Sequence, residues 1–535
     1  MPRFNSLTLP DRPIRILIGV AIAIGIAALV VLLFLAIAGA AAQQDATPHS
    51  TIDLPHLLVM TSTQAGLTTI LSLTVGTALA WALNRLRFPG RDLVVGLFGS
   101  AIVTPGILVA FGLLAVWGRS GWVNGLWRSL FGTPLDIPIF GLGGILAAHL
   151  ILDGAFAARV LLARLDAIPT ARLKTGQSLG LTALQRFAII DWPTLRGTLP
   201  GLGAIIFLLA FTSFPVVLLL GGGPANQTLE VAIYQAAKLD FDLTTAVTLA
   251  LTQVAVCALI VIAAAAFAPV PPSLGSSRSP TWQDAAGPRT VQWIVLAAGI
   301  LGFALPMLTI IVDGLSGIGP VLARPSFWNG VLTSLMIASA AATLTLLLAF
   351  GLCLARASTD RAGLRLTVAA PSYAYLAVPG IVLALGFFLL VRTMGILPAA
   401  AAPVVVVVAN ALLALPFAVA TIGPPLDAIA RSRGKLIRSL DLSGVRQFLA
   451  VEWPLVAPEA GLVVALAFCF SLGDLGVIAF FGTQDFATLP LLLSRALGAY
   501  RTNDAAAIAA IMLVLTVATF VLLPKLFARS AHARA

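Results

Sequence analysis

Few side chains in this sequence stand where they could do chemistry. Asp153 and Asp474 lie inside long apolar runs. An ionisable group in such a run is costly to keep and points to a transport path or a specific partner. The competing role for Asp474, beside Gly473 and Gly476, is a helix cap or a helix–helix hydrogen bond. Tyr234 and Tyr500 could turn an aromatic face to a cation, or anchor helix ends at a membrane interface. Cys257, Cys353 and Cys469 all fall in apolar segments and read as packing residues. The four histidines are scattered, so no metal site is expected, and no acid, base or nucleophile set marks a catalytic centre. No Gly-x-x-x-x-Gly-Lys-Ser/Thr loop is present to cradle phosphates. Gly434-Lys435 lacks both the earlier glycine and the following hydroxyl, and Leu442-Ser443-Gly444 is too short to read as a nucleotide-binding signature.

The elements that position these residues must be membrane helices. Of 535 residues, 59% are hydrophobic and 10% charged, and the mean hydropathy is +1.02. Soluble domains carry about 25% charged residues, so lipid is the natural solvent for this chain. Apolar runs of about 20 residues each suit helices that cross a bilayer, not the short alternating strands of a barrel. Twelve spans are expected, at 16–42, 58–84, 93–117, 138–162, 201–222 and 244–268, then 291–313, 330–355, 366–391, 401–423, 459–481 and 505–524. Segment 269–290 is rich in Pro, Ser and Gly and reads as a linker between domains 1–268 and 291–535. Arg3, Arg12 and Arg15 precede the first run, which is too long for a signal peptide and is expected to stay as a helix. The net charge of +11 fits Lys and Arg held on the cytoplasmic side and calls for no nucleic acid. With both termini inside, the opposite loops hold only Arg119, Arg128, Lys238, Arg324, Arg392, Arg495 and Arg501, with Arg159 near a helix end.

An internal repeat organises the chain. Leu165-Asp166-Ala167-Ile168 returns as Leu426-Asp427-Ala428-Ile429. The same offset carries Ser178-Leu179 onto Ser439-Leu440, Phe187 onto Phe448, and Asp191-Trp192-Pro193 onto Glu452-Trp453-Pro454. Upstream, at a slightly longer offset, Pro105-Gly106-Ile107 returns as Pro379-Gly380-Ile381. Both copies of the second block fall in long cytoplasmic loops, 163–200 and 424–458, so two parallel six-helix halves are expected, related by a pseudo-two-fold axis along the membrane normal. Each loop carries a basic amphipathic stretch, a turn, a short apolar run, and an acid before Trp-Pro. Proline cannot continue a helix interior without losing a hydrogen bond, so each loop is predicted to hold two short helices that present a rigid knob to a partner.

These loops resemble the marker of the permeases of binding-protein-dependent ABC importers. That marker is Glu-Ala-Ala, then glycine four residues after the second alanine, then Ile-x-Leu-Pro. Gly180 matches the glycine and Ile190-Asp191-Trp192-Pro193 the end, while Lys174 and Lys435 stand where glutamate is usual and Asp441 where glycine is usual. The resemblance implies an all-α type I permease (MetI-like) fold. It also implies that 172–193 and 433–454, with Trp453 and Pro454, dock on two copies of a separate ATP-hydrolysing subunit that uses ATP and Mg, this chain binding no cofactor itself. The strings Gly221-Gly222-Gly223-Pro224, Ala232-Ile233-Tyr234-Gln235-Ala236, Pro379-Gly380-Ile381-Val382-Leu383-Ala384 and Gly473-Asp474-Leu475-Gly476-Val477 are similar to those of the thiamine importer's permease family. So are Thr488-Leu489-Pro490 and Tyr500-Arg501. That resemblance implies a multi-pass protein of the bacterial inner membrane, fed with thiamine or its phosphates by a periplasmic binding protein. Asp474, Asp153, Tyr234 and Tyr500 would then be candidates for the path of a cationic substrate. Glu230, Asp240, Asp242, Asp485 and Asp504 fall on the outer side, facing the binding protein or solvent. Ferric-iron permeases share the two-half design and form the alternative. An ion-coupled carrier would need more intramembrane ionisable groups, and a channel a selectivity lining.

Overall fold

The computed structural model describes residues 12–43, 53–264, 282–375 and 377–532. Arg3 and most of the linker at 269–290 lie outside them. The described residues fold into helices and connecting loops, without strands. Among the described residues, ten helices are long and apolar enough to cross a membrane, or eleven if Ala183–Leu195 and Leu199–Phe211, bent by 63°, count as one span. The protein is therefore an all-α, multi-pass membrane protein.

Of the twelve expected spans, 201–222 is met only by that bent pair, and 366–391 splits into Ala362–Ala374 and Gly380–Thr393. Pro379 stands at the break, and proline also biases the residue before it away from helix. The third apolar segment of the first half is interrupted at the matching place. Arg91–Ser100 gives way to a tight turn and the helix resumes at Gly106, after Pro105. The fifth segments break as well: Leu199–Phe211 is followed by Pro215–Leu220, and Trp453–Gly473 by Gly476–Phe481.

The chain forms two compact units that cut across the sequence halves. One comprises 1–46, 329–488 and 515–535; the other comprises 47–328 and 489–514. In the first, helix Pro13–Gln43 packs on Ala362–Ala374 and Gly380–Thr393. It also approaches helix Pro325–Ala357 closely, where a side chain at Gly351 would collide with Ile22. In the second, helix Ala286–Leu322 packs on Leu54–Arg85 and Gly106–Trp117, and a Cβ at Gly112 would lie 2.8 Å from the Pro306 carbonyl oxygen. Thus the opening helix of each sequence half is built into the unit that holds the other half's repeated loop. Without much hydrophobic drive between helices in lipid, small residues at such crossings let backbones touch and gain dispersion contact.

Candidate functional site

The first repeated loop begins with helix Thr170–Ser178. Gly180 ends it in left-handed geometry, φ 66°, with Gly180 N–H bonded to Gln177 O at 3.1 Å and Leu181 N–H to Gly176 O at 3.2 Å. Thr182 and Gln185 then form a reciprocal capping box that starts the next helix. A wide turn over Phe187–Asp191 leads into Trp192-Pro193. Proline clashes with the carbonyl four residues back and cannot bond to it. That carbonyl, Ile189 O, instead accepts from the Arg172 guanidinium at 3.1 Å.

Beneath the loop lies a buried ionic cluster. Asp191 is ion-paired to Arg85, whose Nε is 3.4 Å from Asp284. Arg186 lies 3.6 Å from Asp284, donates to the Trp282 carbonyl at 2.9 Å and stacks over the Trp282 ring at 4.1 Å. Gln292 donates to Asp284 at 2.7 Å. Burial, and then the neighbouring Arg85, push the Arg186 guanidinium down to about 10, which leaves it charged at neutral pH. The residues just before helix Ala286–Leu322 are thereby fastened to the loop's second helix.

The second loop repeats the backbone with other side chains. Its first helix is the end of Pro398–Ser439, because Ala430 stands where Pro169 interrupts the first copy. Asp441 takes the left-handed place of Gly180, φ 47°, and the same two bonds close the turn: Asp441 N–H to Arg438 O at 3.1 Å and Leu442 N–H to Ile437 O at 3.0 Å. The capping box is lost, since Arg446 replaces Gln185. The wide turn recurs at Phe448–Glu452. Glu452 receives two bonds from Arg15, at 2.7 and 3.0 Å, and one from Gln447 at 2.5 Å. Here too the start of an opening helix, Pro13–Gln43, is fastened to a loop.

Both loops expose large apolar side chains at matching positions. Leu179 and Leu184 are 71% and 79% exposed, and their counterparts Leu440 and Val445 are 58% and 73%. Lys174, Gly180, Lys435 and Asp441 are exposed beside them, whereas Ile190 is buried and Pro193, Trp453 and Pro454 are half-buried. Trp192 is exposed next to Phe187, while Trp453 packs among Phe350, Phe448 and Phe527. The exposed pairs flank the turn and form a two-sided apolar knob. Asp166 and Asp427 hold each loop's entry. Asn84 donates to Asp166 at 2.9 Å, with Arg91 at 4.0 Å; Arg356 and Arg365 meet Asp427 at 3.1 and 3.2 Å.

Within the membrane segments the breaks stack in pairs. A Cβ at Gly106 would lie 3.2 Å from Val216, and one at Gly476 would lie 3.6 Å from Ile381. Asp474 sits in its break and accepts from the Val477 N–H at 3.3 Å. Asp153 is buried, 3.1 Å from His149 Nδ1. Tyr234 packs edge-on to Phe214 at 5.2 Å. Tyr500 is 91% exposed. Glu230, expected at the outer surface, is instead buried and bonded by Gln253 at 2.9 Å, because helix Leu229–Tyr234 packs inward on Leu243–Ala264. Asp504 is likewise buried, paired with Arg324 at 2.5 Å. Sequence reasoning noted Arg15 and the basic Arg186 without assigning either a partner, and passed over Arg85 and Asp284; the available signal was their position as charges at the ends of apolar runs.

No family model matches the chain. Curated relatives do. The chain is 36% identical over 493 residues to the thiamine transport system permease protein of Brucella melitensis, covering 91% of this chain and 90% of that one. It is 36% identical over 485 residues to its namesake in Escherichia coli, 89% of each chain. With that of Haemophilus influenzae it shares 34% over 469 residues, 86% of this chain and 87% of the other. Similarity at this level over about nine-tenths of the chain shows the family: the chain belongs to the thiamine transport system permease proteins.

Proposed function

We propose that this chain is the membrane permease subunit of an ATP-binding-cassette importer and carries thiamine, with thiamine phosphates as further candidates, across the bacterial inner membrane. The observation that carries this reading is similarity over about nine-tenths of the chain to relatives named for thiamine transport. The same relatives do not favour ferric iron. The chain itself performs no ATP chemistry. Two copies of an ATPase subunit, using ATP and Mg, dock on the two loops, and a periplasmic thiamine-binding protein delivers the substrate. The exposed apolar knobs and the buried ionic clusters beneath them support that role, since a lever must be sticky at its tip and stiff at its root. Twelve spans, with 366–391 crossing as a broken pair, put loops 163–200 and 424–458 and both termini in the cytoplasm, in agreement with the distribution of Lys and Arg. The sequence halves 1–268 and 291–535, joined by linker 269–290, are the two repeats. ATP closes the ATPase dimer and moves the loops; hydrolysis resets them.

The test is uptake of labelled thiamine by a thiamine-auxotrophic strain lacking this gene, with and without the gene restored. Restored uptake that collapses on ATP depletion is the expected result. Restored ferric uptake without thiamine uptake would overturn the substrate, and uptake driven by the proton gradient alone would overturn the class.

A further inference from the structure

His149 and Asn410 occupy one position of the repeat, at the offset that carries Asp166 onto Asp427. Both lie in long apolar helices and each is only 3% exposed. Each commits one polar atom to a neighbour: His149 Nδ1 to Asp153 at 3.1 Å, Asn410 Nδ2 to Ser471 Oγ at 2.9 Å. Each leaves its other polar atom, His149 Nε2 and Asn410 Oδ1, buried without a hydrogen bond. Just beyond Ser471, Asp474 Oδ1 accepts from the Val477 N–H at 3.3 Å, while Oδ2 is buried without a hydrogen bond of its own, the Asn410 side chain being the polar neighbour of the carboxylate.

Leaving one buried polar group unsatisfied costs about 1–3 kcal/mol, and lipid cannot supply the missing bond. Packing gives no reason for the same orphan at one position of both halves. Interrupted apolar segments at corresponding places in two repeats are also where transporters build their substrate sites. The orphaned atoms beside the second break share a chemistry: Asn410 Oδ1 and Asp474 Oδ2 are both acceptors. A ligand that satisfies them brings N–H donors and positive charge.

We infer that Asn410 and Asp474, at the break between Trp453–Gly473 and Gly476–Phe481, form a binding element for a cationic ligand bearing an amine. This rests on the thiamine reading above and sharpens it: the exocyclic amine of the pyrimidine ring bonds to Asn410 Oδ1, and Asp474 offsets the thiazolium charge. Ile381, from the stacked break at Pro379-Gly380, lies against Gly476 beside this element.

The test uses the whole complex, permease with its ATPase and binding protein, in proteoliposomes. Initial uptake is measured for thiamine and for the analogue whose pyrimidine amine is replaced by oxygen. The binding protein's own preference is measured separately and is common to every variant. Asn410→Leu is expected to lower thiamine uptake about tenfold, the scale of one lost bond to a charged ligand, and to bring the thiamine-to-analogue ratio down to that of the binding protein alone. Asn410→Ser, which keeps a polar group against Ser471, is expected to lower the same ratio and serves if the leucine variant fails to insert. Asp474→Asn is expected to raise KM about tenfold while ATPase stimulation by the loaded binding protein persists. An inserted Asn410 variant that keeps the wild-type ratio would overturn the assignment. A wild-type complex that takes up neither compound would instead overturn the thiamine reading itself.

Discussion

Loop 163–200 buries its acid, Asp191, beside Arg85 and shares that arginine with Asp284, whereas loop 424–458 gives its buried acid, Glu452, one half-buried arginine and one buried glutamine. The backbones are the same down to the two hydrogen bonds of the turn. The sign of the fastening pair is reversed: the segment before one opening helix brings an anion, Asp284, to Arg186 of its loop, and the start of the other opening helix brings a cation, Arg15, to Glu452 of its loop. What has been kept is the mechanical plan, a knob stiffened at its root by a strap from an opening helix. The charges were free to change as long as each strap remained complementary.

Breaking the buried strap should have the largest effect. Arg85→Leu leaves Asp191 and Asp284 without their shared cation, at an expected cost of about 3–5 kcal/mol, read as a lower thermal midpoint of the detergent-extracted protein. Glu452→Gln keeps the side chain's shape and removes the charge from a pair whose Arg15 is only half-buried, so it should cost about 2 kcal/mol or less; an effect as large as that at Arg85 would erase the difference between the two roots. Gly180→Val meets no steric neighbour, so only its left-handed backbone is strained, at about 1–2 kcal/mol. It should insert normally yet uncouple ATPase activity from uptake, measured side by side. Asp441→Gly relieves the same geometry in the second loop and should stabilise by about 1 kcal/mol or less.

Much of this was legible in the sequence. Hydropathy alone marks the membrane class, and the repeat located both turns through Gly180 and Asp441 and both ends through Trp192-Pro193 and Trp453-Pro454. The broken segments were less visible, since Pro105-Gly106 and Pro379-Gly380 sit inside runs apolar enough to read as continuous spans. The run-on of Pro398–Ser439 into the second loop follows from Ala430 in place of proline, a local cue that pattern reading passes over. Neither the straps nor the exchange of opening helices could be read, because Arg15 and Glu452 are brought together by tertiary packing across most of the chain.

The account depends most on both knobs being docking sites for the same partner. Cys257, Cys353 and Cys469 are buried, so Leu184→Cys and Val445→Cys each introduce one accessible thiol. Cross-linking each variant to the ATPase subunit in native membranes, and then the double variant, tests the claim directly. The prediction is one ATPase captured at each position and two in the double variant. Capture at only one position, or at neither, would contradict it.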